Sequence, residues 1–89
     1  MNKEKTLHIY MANWCPHCRA ALKYLGESGI KFVQHDMDRI SPEEEKKVID
    51  ANGGDDWVVP TLECEGKWIP GRAFRKERFE ADLKTLGVL

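Results

Sequence analysis

The chain has 89 residues, of which 42% are hydrophobic and 33% charged, and 14 Lys and Arg face 15 Asp and Glu, leaving a net charge of −1. This length predicts one globular domain over residues 1–89, and the charge balance argues against a nucleic-acid-binding protein. The uninterrupted apolar runs are short, whereas a bilayer span needs about 20 such residues and the core of an export signal about 7 to 15. We therefore expect a soluble cytoplasmic protein that neither spans a membrane nor is exported.

The first part of the chain predicts a strand, a helix and a second strand. Thr6–Met11 is rich in Leu, Ile and Tyr, which favours a strand. From Cys18 onward, apolar residues recur at the spacing of one helix face, and the helix is predicted to end near Ser28-Gly29. Ile30–Asp36 is the second predicted strand. A helix between two strands indicates a βαβ unit, whose strands are parallel.

A second helix is predicted to begin near Pro42. Ser41 is a preferred N-cap, proline suits the first helical position, and Glu44 completes the pattern of a capping box. Asn52-Gly53-Gly54 is a strong stop signal at the other end. This helix has few apolar residues, so its contact with the core is expected to be small.

The last third predicts a hairpin and a third helix. Thr61–Glu65 and Lys67–Ile69 flank Glu65-Gly66, which can form a two-residue turn. Apolar residues then recur at helical spacing from Phe79 until about Gly87. The element order is β-α-β-α-β-β-α, which predicts an α/β protein with a four-stranded mixed sheet flanked by helices.

The Cys15-Pro16-His17-Cys18 segment is the most informative feature of the sequence. Three cysteines do not complete a disulfide framework, and in a reducing compartment such a pair indicates a transient disulfide. Cys15 is placed at an exposed helix N-terminus, where unpaired N–H groups favour a thiolate, so we predict that it is the nucleophile. Cys18 heads the buried stripe of the helix and is predicted to be the resolving thiol, with a nearly ordinary pKa.

The two residues between the cysteines are predicted to tune this chemistry. A protonated His17 would place positive charge beside the Cys15 thiolate and stabilise it. Pro16 removes an N–H that has no partner in the first helical turn and stiffens that turn. The redox site is therefore predicted to comprise Cys15, Pro16, His17 and Cys18.

Other interpretations of the cysteines are less favoured. The pair can simply pack in the core, or it can bind a metal, but structural zinc usually takes four ligands from two paired clusters. The remaining candidates, Cys64, His8 and His35, are scattered along predicted strands. We predict no metal site, a buried and inert Cys64, and structural roles for the two histidines.

A strand, a CPxC pair that opens a helix, and a Val59-Pro60 pair before a later strand together resemble the glutaredoxins, members of the thioredoxin-fold superfamily. The resemblance extends from Leu7 to about Leu86. It implies a thioredoxin fold, thiol-disulfide oxidoreductase activity on disulfide-containing proteins, and a monomer. It also implies a cis Pro60 and a Val59 backbone that binds the substrate chain beside the nucleophile. X–Pro bonds reach the cis form easily, although Pro60 can also be an ordinary turn proline.

The sequence departs from glutathione-using glutaredoxins at two places. Ala12 stands where those proteins usually have Lys, and Ile69–Arg75 lacks their Gly-Gly pair and following Asp. The Ile69–Arg75 region, together with Trp68 and Asp38-Arg39, resembles the same parts of NrdH-type redoxins, which are reduced by thioredoxin reductase. A tryptophan directly before the nucleophile, here Trp14, resembles the thioredoxins. The resemblance therefore implies no tightly bound cofactor, and either glutathione or a thioredoxin reductase as electron donor.

Three residues near the predicted site have two interpretations each. Arg72 and Arg75 can bind a substrate carboxylate, because a guanidinium grips one bidentately, or they can belong to a solvated face of mixed charge. Trp57 can be an exposed docking residue or a core ring. Trp14, Val59, Pro60 and Arg72 form the predicted substrate-binding set.

The competing hypothesis for function is an iron–sulfur cluster or metal carrier that uses Cys15 in a dimer, as some glutaredoxins do. In that family, cluster binding usually accompanies Gly or Ser after the nucleophile. Pro16 stands at this position and argues against the carrier.

Overall fold

The computed structural model describes residues 5–89, in which one sheet carries helices on both faces. The predicted domain over residues 1–89 includes four residues outside this part of the chain, and its extent remains a prediction. The strands are β1 (Leu7–Met11), β2 (Phe32–Asp36), β3 (Thr61–Cys64) and β4 (Lys67–Ile69), and the helices are α1 (Pro16–Ser28), α2 (Pro42–Ala51) and α3 (Lys76–Leu86).

The sheet has the order β2-β1-β3-β4. β1 runs parallel to β2 and antiparallel to β3, and β3 pairs antiparallel with β4, so the predicted mixed sheet and element order are confirmed. Glu65 and Gly66 both have positive φ, 51° and 88°. Positive φ at both central residues is the geometry of a two-residue hairpin turn, which confirms the turn predicted between β3 and β4.

β2 begins two residues later than predicted, at Phe32 rather than Ile30. The cause is the end of α1, where Gly29 adopts the left-handed conformation with φ of 80°. The Ile30 N–H then bonds to Ser28 Oγ at 3.3 Å, so the chain is still part of the helix cap at this point. The apolar character of Ile30 favoured an earlier strand start, but the C-cap of α1 determines where strand pairing begins.

The two faces of the sheet bury clusters of different size. Leu7, Ile9 and Met11 point to one face, where α1 and α3 cover them. Tyr10 points to the other face and packs with Met37 and with Val48 of α2. The small core contact predicted for α2 is confirmed, because Val48 is the buried residue of this helix.

The α2 N-terminus has the predicted cap. Ser41 Oγ accepts a hydrogen bond from the Glu44 N–H at 3.2 Å, and Pro42 opens the helix. α3 ends at a left-handed Gly87, as predicted. Within residues 5–89, no helix has both the length and the apolar character that crossing a bilayer requires.

Candidate active site

Cys15 is the N-cap residue of α1, with an extended backbone conformation, and Pro16 opens the helix. The Cys15 carbonyl accepts the first helical bond, from the Arg19 N–H at 3.1 Å. The N–H groups of the first turn have no partner within the helix, and this turn carries no acidic residue. Both features favour negative charge on a sulfur at this position, in agreement with the predicted placement of the pair.

The Cys15 side chain is more buried than predicted. We expected an exposed helix end, but 6% of the residue is exposed, and it joins the main core cluster with Ala12 and Cys18. The exposed surface at this point comes instead from its neighbours, with Trp14 62% exposed and both Pro16 and His17 exposed. The chain enters α1 from a buried strand end, and this direction turns the N-cap side chain inward.

Cys18 is fully buried against Cys15. Burial raises the pKa of the Cys18 thiol to about 12; a backbone hydrogen bond with Ala12 opposes the rise, and a side-chain hydrogen bond with Cys15 adds to it. The sequence-based expectation of a nearly ordinary pKa was therefore wrong, because the pattern placed Cys18 on the buried stripe without indicating how completely water is excluded. At neutral pH the Cys18 thiol keeps its proton and lies in hydrogen-bond contact with the Cys15 sulfur.

His17 contacts a segment that the sequence did not connect with it. Its Nδ1 accepts a hydrogen bond from the Phe74 N–H at 3.1 Å, across 57 residues of chain. This bond ties the imidazole ring to the segment that precedes α3. No local pattern signals this contact, because it depends on how the segment before α3 packs against α1.

The predicted substrate-binding residues come from three different loops. The Val59–Pro60 bond is cis, as the resemblance implied. Val59 is half-buried and packs against both core clusters. Arg72 shares a narrow pocket with Pro60 and Phe74, but its guanidinium Nη2 already donates to Asp82 Oδ1 of α3 at 2.5 Å.

The two tryptophans beside the cysteines are neighbours. The Trp14 Nε1–H donates to Asp38 Oδ2 at 3.0 Å, and the Trp14 and Trp57 ring centroids are 6.5 Å apart. Trp57 is half-buried and packs on the second core cluster. The ring is thus a core contact that also lies beside the exposed Trp14, and a docking role for Trp57 stays a prediction.

The remaining cysteine and histidines lie on strands of the sheet. Cys64 is 1% exposed in the main cluster, which confirms that it is buried, and burial raises the pKa of its thiol. His8 Nδ1 lies 2.9 Å from His35 Nε2, and their rings stack, so both histidines pack between strands. Over residues 5–89, no group of three or more His, Cys, Asp or Glu side chains is arranged to hold a metal ion.

The strand order, the cis proline before β3 and a cysteine pair opening α1 define a thioredoxin-fold protein. Residues 7–69 match the family model described as glutaredoxin, and the chain belongs to the glutaredoxin family. Over 54 residues it is 37% identical to mycoredoxin 1 of Corynebacterium glutamicum, a match covering 61% of this chain and 63% of that protein. The matched stretch thus spans less than two thirds of the length of this relative.

Solved structures of glutaredoxins share the fold. The glutaredoxin grx-1 of Archaeoglobus fulgidus is 27% identical with a TM-score of 0.62, covering 84% of this chain and 82% of that one. A buckwheat glutaredoxin in complex with glutathione has a TM-score of 0.64 at 18% identity, covering 98% of this chain and 84% of that one. The thioredoxin fold predicted from the sequence is confirmed.

Proposed function

We propose that this protein is a dithiol thiol-disulfide oxidoreductase, in which Cys15 attacks substrate disulfides and Cys18 resolves the intermediate. The observation that carries the proposal is the pairing of the two sulfurs. Cys15 lies at the N-terminus of α1, where thiolate charge is favoured. Cys18, buried and protonated, contacts that sulfur and can donate a hydrogen bond to it. Cys15 is thus placed to attack a substrate, and Cys18 is placed to resolve the intermediate.

The reaction requires two exchanges. The Cys15 thiolate attacks one sulfur of the substrate disulfide, forms a mixed disulfide and releases the other sulfur as a thiolate, which takes up a proton. Cys18 then gives up its proton and attacks the Cys15 sulfur, and this step releases the second substrate thiol. The substrate gains two electrons and two protons, and the Cys15–Cys18 pair becomes a disulfide. An external reductant returns both cysteines to thiols.

Substrate binding is proposed for the surface around these sulfurs. The Val59 backbone offers hydrogen bonds to an extended chain beside Cys15, and the exposed Trp14 ring supplies apolar contact. Arg72 is proposed to bind a substrate carboxylate, which requires competition with Asp82 for the guanidinium. Protein disulfides are the proposed substrates. The protein is proposed to act as a monomer and to be located in the cytoplasm.

The electron donor is proposed to be glutathione or a thioredoxin reductase. The buckwheat relative of similar fold binds glutathione, but Ala12 and Ile69–Arg75 of this chain lack residues that glutathione-using members usually have. A coupled assay compares glutathione plus glutathione reductase with thioredoxin reductase alone, each with NADPH. The donor that sustains turnover of a protein disulfide is the assigned reductant.

Single-cysteine variants test the mechanism. Cys18→Ser is expected to accumulate a mixed disulfide on Cys15, detected by mass spectrometry after reaction with a disulfide-linked protein. Cys15→Ser is expected to form no adduct, and Cys64→Ser is the matched control, because Cys64 is equally buried but lies on β3. An adduct on Cys18 in the Cys15→Ser protein would assign the nucleophile to the other cysteine. A visible absorption band in anaerobically purified protein would instead support the iron–sulfur carrier.

A further inference from the structure

The Asn52 side chain joins three separate segments at the end of α2. Its Nδ2 group donates to Val48 O at 2.9 Å and to Thr61 Oγ1 at 3.0 Å. Its Oδ1 accepts from the Gly71 N–H at 2.8 Å. Both amide protons and the amide oxygen are therefore used, and the partners fix the orientation of the amide, because a flipped amide would face donor to donor at Gly71.

Thr61 continues this network toward the segment that precedes Pro60. Thr61 is the one buried polar residue among residues 5–89, with 0% of its surface exposed. Its hydroxyl accepts from Asn52 and donates to Val58 O at 2.5 Å. A buried hydroxyl with both functions satisfied holds its partners in place, since any movement leaves a polar group unpaired away from water.

Gly71 holds the same segment from the other side. A Cβ atom at this position would lie 2.4 Å from Val58 O, so the two backbones are in direct contact and glycine is required here. The Gly71 N–H is at the same time bound to Asn52. The Val58 carbonyl is thus enclosed between the Thr61 hydroxyl and the Gly71 backbone, and Asn52 connects these two partners.

We propose that Asn52 and Thr61 are positioning residues that fix the Val58–Val59 backbone so that the protein selects disulfides held in peptide chains over small disulfides. The inference rests on the proposed function, because it takes Val59 to bind an extended substrate chain beside Cys15. Backbone hydrogen bonds weaken steeply with misalignment, so a binding edge is effective only when its direction is fixed. A small disulfide without a peptide backbone makes no use of that edge.

The test compares Thr61→Val, which keeps the shape and removes the hydroxyl, with Thr61→Ser, which keeps the hydroxyl. Two substrates are used, a disulfide-linked peptide and bis(2-hydroxyethyl) disulfide. Loss of one aligned hydrogen bond predicts that Thr61→Val raises KM for the peptide by about fivefold, with kcat changed by less than about twofold. Thr61→Ser is expected to keep the wild-type KM for the peptide. The small disulfide is expected to react at the wild-type rate in both variants, with an unchanged redox potential.

Asn52→Asp is the second perturbation, for use also if Thr61→Val folds poorly. It keeps an oxygen for the Gly71 N–H but replaces the Nδ2 donor that reaches Thr61, so the same selective rise in peptide KM is expected. An unchanged peptide KM, or an equal loss of activity on both substrates, overturns the inference. The proposed function then still stands, provided that the wild-type protein reduces these disulfides. A wild-type protein that reduces neither substrate overturns both.

Discussion

The Cys18 thiol is expected to resist alkylation even after Cys15 has been replaced by serine. Burial is the largest cause of its raised pKa of about 12, and burial persists in the Cys15→Ser variant, whereas the contribution from Cys15 disappears. At pH 7, a thiol with this pKa is ionised in about 1 molecule in 100,000, against about 3 in 100 for a free cysteine. The ionised fraction of Cys18 is thus about 3,000 times smaller than that of free cysteine. Because the Cys15→Ser variant lacks the Cys15 contribution to the raised pKa, we expect a smaller effect, with alkylation at least about a hundredfold slower than that of free cysteine.

The assay uses reduced Cys15→Ser/Cys64→Ser protein, in which Cys18 is the single thiol. Iodoacetamide is added at pH 7 and the adduct is followed by mass spectrometry, with free cysteine as the reference. The same variant in concentrated guanidinium chloride is the control, because unfolding exposes the thiol and is expected to restore the reference rate. A folded variant that reacts within about tenfold of free cysteine would refute the link between burial and suppressed ionisation.

Three further outcomes are expected. The raised pKa of Cys18 favours folding most fully below the thiol pKa of the unfolded chain, about 8.5, and this contribution is lost as pH rises toward about 12. Urea unfolding of the reduced protein should therefore show a larger loss of stability between neutral and alkaline pH than Cys18→Ala shows, and equal losses would contradict this. His17→Pro removes the imidazole beside Cys15 and the acceptor of the Phe74 N–H, so equilibration in thiol buffers should give a more negative potential; an unchanged or less negative one would remove His17 from the tuning role. Leu83→Ala, at a fully buried position, is expected to lower the free energy of unfolding by about 2 to 5 kcal/mol, and a loss below about 1 kcal/mol in urea unfolding would mean that the site collapses around the smaller side chain.

The sequence by itself determined the features whose physical causes are local. The Ser41 cap, the Glu65-Gly66 turn and the Gly87 stop depend on the chemistry of a few adjacent residues, and each lies where the pattern predicted it. The apolar stripe that begins at Cys18 likewise placed both cysteines at the start of one helix. The parallel pairing of β1 and β2 also followed from the sequence, because a helix between two strands leaves few other connections.

Tertiary structure decided which groups meet around the cysteines and how far water is excluded. The burial of Cys15 depends on the direction in which the chain leaves β1, and the pKa of Cys18 depends on the packing around it. The bond between His17 and Phe74 joins residues 57 positions apart, and the bond between Asn52 and Gly71 joins residues 19 positions apart. Hydrogen bonds between distant segments are set by how helices and loops dock on the sheet, and neither residue spacing nor local propensity encodes that docking.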